Sequence, residues 1–195
     1  MAQQNWVNLL NYGVPWQTTQ GTQLATSATT ATISPQAAGP QDFVLPAQAN
    51  GLQWYPGMAL KIDARGTYGS AGSASNLTVW LAVGVSGTLA TALCTTAAFA
   101  LGTGTLSPMS WELSCKLACT ALGSTGNTLV SEGKWIGGTV VSPTVAASGA
   151  GVWPMPWLAT AFNTYTAATA IGLRASLSTA YGNIQCDQFE IYQVC

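Results

Sequence analysis

Along most of the chain, apolar and polar residues alternate with a period of two, the spacing of a β-strand that buries one face. Met58, Leu60, Ile62 and Ala64 point one way, with Lys61, Asp63 and Arg65 opposite. Leu77, Val79, Leu81, Val83 and Val85 make a second row. Trp111, Leu113, Cys115, Leu117 and Cys119 make a third, with Glu112, Ser114 and Lys116 on the other side. Ile171, Leu173, Ala175 and Leu177 follow, and the stretch Asp187 to Val194 is a fifth strand with Phe189 and Ile191 inward. Shorter candidates lie around Phe43, Phe99, Leu129 to Ile136, and Trp153 to Ala159. Turn residues fall between them: Tyr55-Pro-Gly57, Gly66 to Gly72, Gly102-Thr-Gly104, Gly123-Ser-Thr-Gly126 and Gly182-Asn183. Glycine supplies positive φ, and proline and asparagine fix turns, so these mark strand ends. No stretch carries the period of a long amphipathic helix. The pattern predicts an all-β fold of about eight antiparallel strands, a jelly-roll-type β-sandwich, over residues 42–195.

The first 41 residues read differently. They hold no charged residue, and a low-complexity run from Ala25 to Thr32 leads into Pro35, Gly39 and Pro40. Ahead of that run come Trp6, Leu9, Tyr12 and Trp16. Disordered segments are poor in such residues. Residues 1–41 are therefore expected to be an extended N-terminal arm that anchors its aromatic side chains on another surface.

Composition sharpens this picture. Hydrophobic residues make up 48% of the 195-residue chain and charged residues only 6%, against about 25% charged in a typical soluble domain. With a net charge of −1, repulsion does little to keep copies apart. A surface of Ser, Thr, Asn and Gln packs against itself without the cost of desolvating ions, so much of it is expected to be covered in the working state. The same balance argues against other partners. Lys61, Arg65, Lys116, Lys134 and Arg174 stand singly, with no basic stripe for nucleic acid. No basic amphipathic helix or long apolar run points to a membrane. The N-terminal Met-Ala-Gln-Gln-Asn-Trp lacks a signal pattern, so synthesis in the host cytoplasm is expected. Cys115 and Cys119, four apart on one strand, have Cα atoms roughly 13 Å apart, too far for a disulfide. Buried free thiols are the expectation, with the state of Cys195 open.

Candidate chemistry is sparse. The chain has no His, so a serine or cysteine nucleophile lacks its usual base, and a zinc site lacks a common ligand pattern. Asp63 and Glu112 sit on polar strand faces where they can approach each other, but solvated charges or partners for Lys61, Arg65 and Lys116 is the simpler reading. No catalytic residue, cofactor or metal is expected. The eight tryptophans remain to be explained. Trp111 reads as core and Trp80 as a strand-face contact. Trp6, Trp16, Trp54, Trp135, Trp153 and Trp157, with Leu9 and Tyr12, are the candidate assembly contacts, because aromatic enrichment marks interfaces. Trp153-Pro-Met-Pro-Trp157 is also the best candidate for a glycan platform, since its prolines hold it extended.

The segments Leu52 to Gly66, Leu77 to Gly84, Trp111 to Cys119 and Gly123-Ser-Thr-Gly126, behind an aromatic-studded arm, resemble small structural proteins of tailed-phage virions. The resemblance covers residues 42–195 and rests on architecture, with no reacting group in it. It implies a jelly-roll body that assembles as a homotrimer on the capsid surface of the virion and binds the major capsid protein as a decoration, cement or minor capsid subunit. The alternative is a tail or fibre module that recognises the host by holding glycans on exposed tryptophan.

Overall fold

The computed structural model describes residues 16–19, 24–25, 30–33, 43–45, 55–70, 73, 75–85, 88–101, 108–123, 127–138, 150–163 and 169–194. They form strands throughout, in two antiparallel sheets. Four short strands come first: β1 (Trp16–Thr19), β2 (Leu24–Ala25), β3 (Thr30–Thr32) and β4 (Phe43–Leu45). The body then runs β5 (Ala59–Ser70), β6 (Ser75–Val85), β7 (Thr88–Thr95), β8 (Phe99–Leu101), β9 (Met109–Ala121), β10 (Asn127–Gly138), β11 (Ala150–Phe162), β12 (Thr169–Leu177) and β13 (Gly182–Gln193). The larger sheet has seven strands in the order β1-β13-β5-β9-β10-β11, with β2 also on β13. The smaller has six, in the order β3-β12-β6-β7, with β4 on β12 and β8 on β6.

The expected β-sandwich is what the chain forms. The first two long strands, β5 and β6, pair with the last two, β13 and β12, the wrapping expected of a jelly roll. By contrast β9, β10 and β11 form a plain meander inside one sheet. Strands are more numerous than the alternation alone suggested, for two reasons. Short pieces of the N-terminal segment join the sheets: β1 and β2 pair with β13, and β3 pairs with β12, as does β4, the strand expected around Phe43. Among the described residues, backbone pairing to the body is present from Trp16 on, inside the segment read as an arm, while Trp6, Leu9 and Tyr12 lie outside the described residues. The other unanticipated strand is β7, whose Ala- and Thr-rich sequence and displaced register against β6 hide its alternation.

Alternation does set the core. On β5, Leu60, Ile62 and Ala64 are buried while Lys61 and Arg65 are exposed. Leu113, Leu117, Phe189 and Ile191 from the larger sheet meet Leu77, Val79, Leu81, Leu173 and Leu177 from the smaller one in a single cluster. At one end of it Trp135 is fully buried among rings, with centroids at 4.7 Å from Phe99, 4.9 Å from Trp153, 5.3 Å from Tyr68 and 6.4 Å from Trp111. The Trp111 indole donates to the carbonyls of Thr67 (3.2 Å) and Gln185 (3.1 Å), tying β9 to β5 and β13. Ala82, Leu89 and Ala170 form a second, smaller cluster with Trp80. Residues 82 and 170 alternate with core positions, so this cluster lies on the outer side of the smaller sheet. Arg174 sits over the Trp80 ring at 5.7 Å and donates from Nη1 to the Leu89 carbonyl at 2.7 Å.

Gly66 is a correction to the sequence reading. It was expected to open a turn, yet β5 runs through it to Ser70. Gly66 faces Cys186 where β13 takes an irregular step between Cys186 and Gln188, so its missing side chain serves a close approach of strands. Cys94, Cys115, Cys119 and Cys186 are free and buried, as expected of them; Cys195 lies outside the described residues.

Candidate functional site: the charged face of the larger sheet

Charge is sorted between the two sheets. The smaller sheet's strands contain a single ionisable charge, Arg174. Lys61, Asp63, Arg65, Glu112, Lys116, Glu132, Lys134, Asp187 and Glu190 all belong to β5, β9, β10 and β13 of the larger sheet. Cross-strand register lays most of them in rows. Tyr192, Lys61, Lys116 and Glu132 lie opposite one another in turn, and Glu190, Asp63, Ser114 and Lys134 do the same one step along.

Two carboxylates on this face are already held. Lys61 Nζ contacts Asp63 Oδ2 at 2.7 Å, and Ser114 Oγ donates to Asp63 Oδ1 at 2.7 Å. Glu190 accepts from Gln188 Nε2 and from the Tyr192 hydroxyl. That bond, more than desolvation, pushes the Tyr192 phenol up to about 12. Asp63 and Glu112 are diagonal neighbours, since Ser114 faces Asp63 and Arg65 faces Glu112. They border a shared hollow of about 320 Å³.

A larger groove, about 550 Å³, lies toward the β11 edge. Lys61, Lys116 and Lys134 all line it, together with Glu132, Ser114 and Trp157. These three are every lysine in the chain. Lys116 and Lys134 make no ion pair among the described residues, and only Lys61 is engaged. Trp157 is 63% exposed, and Pro154 and Pro156 beside it stiffen the strand. The register of β11 against β10 shifts between Ser131 and Gly133, opposite this corner. In the core beneath, Cys115 Sγ lies 3.8 Å from Cys94 Sγ on the facing sheet and 3.7 Å from Met155 Sδ. The shared hydrogen bond with Cys94 and burial hold the Cys115 thiol well above its ordinary value.

The aromatic residues singled out from the sequence are scattered. Trp6, Leu9, Tyr12 and Trp54 lie outside the described residues. Trp16 is in β1, opposite Ile191. Trp135 has no exposed surface, so the folded chain cannot present it to a partner; its ring fills the core instead. Trp153 packs against Trp135 and Phe99 from the edge of that core. Trp157 is an exposed platform. Sequence reasoning missed the convergence of the lysines. Alternation put Lys61 and Lys116 on polar faces, but nothing local told that β9 lies between β5 and β10. Among the described residues no cluster of three or more metal-ligating His, Cys, Asp or Glu side chains occurs.

No protein-family model matches the chain, and no curated protein matches it in sequence. Two solved structures are weakly similar. One is the CBM2 module of the evolved Dit of Lactobacillus casei BL23 phage J-1, at a TM-score of 0.28 and 9% identity over 90% of this chain and 75% of that one. The other is a legume lectin-like domain from Entamoeba histolytica, at a TM-score of 0.25 and 8% identity over 92% of this chain and 90% of that one.

Proposed function

We propose that the chain is a non-enzymatic structural subunit of a tailed-phage virion, one that decorates or stabilises the capsid by binding across major capsid subunits as a homotrimer. The observation that carries this reading is the single charge on the strands of the smaller sheet. A face of Thr, Ser, Ala and Trp buries against a partner without stripping water from ions, which is the usual penalty at a polar interface. Even Arg174, the one exception, is spent within the chain on Trp80 and Leu89. Apolar area removed from water contributes about 25 cal/mol per Å² before entropic losses, and particle symmetry repeats that contribution at every copy.

Counting copies per purified particle by quantitative mass spectrometry tests the role. Tens to hundreds of copies against the major capsid protein are expected, and a handful or none overturns a decorating role. Thr78→Lys tests the face. Thr78 is partly exposed and pairs with Ser176 beside Arg174, so a second cation there should lower particle occupancy while the melting temperature of the isolated chain stays put. Full occupancy of the variant would remove the smaller sheet from the interface.

A further inference from the structure

We propose that the groove between Trp157 and the three lysines is a binding site for an acidic saccharide, a sugar chain bearing a carboxylate or phosphate. This site lies on the larger sheet, whereas the proposed assembly surface is the smaller sheet, and it does not depend on that reading.

Four features point to that ligand class. First, a chain with five cations puts three of them around one groove. A random scatter of solvated charges would not leave the rest of the surface empty of lysine. Second, the groove has a surplus of positive charge. Lys61 is neutralised by Asp63 at 2.7 Å, and Glu132 offsets one of the other two, so roughly one unit of positive charge is left for a ligand to match. Third, the exposed indole of Trp157 borders the cationic side chains. An indole offers a flat apolar plate to the C–H face of a pyranose ring, and the flanking prolines hold it ready, which reduces the ordering cost of binding. An acidic peptide would use the lysines and have no need of the plate. Fourth, Ser114 and Glu132 supply the hydroxyl and carboxylate that a sugar's own hydroxyls pair with. The volume, about 550 Å³, falls inside the roughly 300–1,000 Å³ of ordinary ligand sites, and a shallow sheet face admits a chain that runs past both ends.

Isothermal titration calorimetry on the full chain decides this, with four probes: trigalacturonate, maltotriose 6-phosphate, maltotriose and hexaglutamate. One or both anionic carbohydrate-type probes should bind, and whichever does identifies carboxylate or phosphate as the anion. Maltotriose should bind at least tenfold more weakly, and hexaglutamate should show no saturable binding. Trp157→Ala and the double variant Lys116→Gln/Lys134→Gln should each weaken the anionic probe at least tenfold. Both sites are exposed, so thermal unfolding of each variant should match the parent. Binding of hexaglutamate as tight as the sugars, or binding untouched by Trp157→Ala, would reduce the site to plain charge attraction and overturn the proposal. So would failure of both anionic sugars. Particle occupancy of the same variants separates the two readings: it should be unchanged, and its loss together with intact sugar binding would place Trp157 in the assembly contact instead.

Discussion

Cys186 and Tyr68 are neutral groups walled into the core, which couples their protons to folding. Burial pushes the Cys186 thiol from 9.0 to about 12, and its S–H donates to the Gln188 carbonyl at 3.2 Å. Burial also pushes the Tyr68 phenol from 10.0 to about 12, and its hydroxyl finds no partner among the described residues. In the unfolded chain both groups ionise near their ordinary values. Between those values and about 12 the folded chain holds protons that the unfolded chain has lost, so stability falls as pH rises. The contribution is complete below about pH 9 and fades progressively above it. Cys119 is raised by burial as well and acts in the same direction, whereas the hydrogen-bonded pair Cys94 and Cys115 shift oppositely, Cys94 down and Cys115 up. Urea midpoints should therefore hold steady from about pH 7 to 8.5 and decline steadily above about pH 9. Cys186→Ala lowers the whole curve by the cavity it leaves, but its slope above pH 9 should be shallower than the parent's. A parent midpoint that stays flat to about pH 10.5 would contradict the buried-acid account.

Strand β5 shows how much one missing side chain can govern an element. A Cβ at Gly66 would sit 2.0 Å from the Gln185 carbonyl oxygen and 2.9 Å from the Cys186 Cα, both backbone atoms of β13. Nothing flexible can yield there, and Trp111 bonds to Thr67 and Gln185 across the same spot. Gly66→Ala is expected to cost at least the roughly 1–3 kcal/mol of an overpacked core, read from chemical denaturation. Gly57 provides the comparison. It has a φ of 92° in the Tyr55-Pro-Gly-Met58 turn with open space around it, so Gly57→Ala should cost only the roughly 1–2 kcal/mol of left-handed strain. Equal losses at the two positions would show that strand contact is not what Gly66 protects. The pair also shows what the sequence makes legible. A Pro-Gly turn closed by Met58 N–H to the Tyr55 carbonyl is decided within four residues and was readable. Gly66 looked like another turn residue because its reason lies on β13, more than a hundred positions away. Tryptophan behaved the same way. Trp111 alternates cleanly and was placed in the core from its row, whereas Trp135, flanked by Gly133 and Gly137, carried no such row and was mistaken for surface.

Across the whole molecule, alternation revealed two-sided strands but not which strands share a sheet, and the sorting of charge follows from that sharing. β5, β9, β10 and β13 are neighbours in space, so charges that look isolated along the chain collect on one face and leave the other nearly bare. Two kinds of binding should then respond oppositely to salt. Pairing of exposed charges weakens once separations exceed the Debye length, about 10 Å at 0.1 M and about 3 Å at 1 M. Burial of neutral apolar surface is untouched or strengthened by added salt. Particle association through the smaller sheet should accordingly change less than about twofold between roughly 0.05 and 0.5 M NaCl, followed by sedimentation of decorated capsids. Binding of an anionic sugar by the lysine groove should drop severalfold over the same range. If particle association instead collapses with salt, the charged face is the one that holds the capsid, the orientation of the subunit is reversed, and the lysine groove becomes part of the assembly contact.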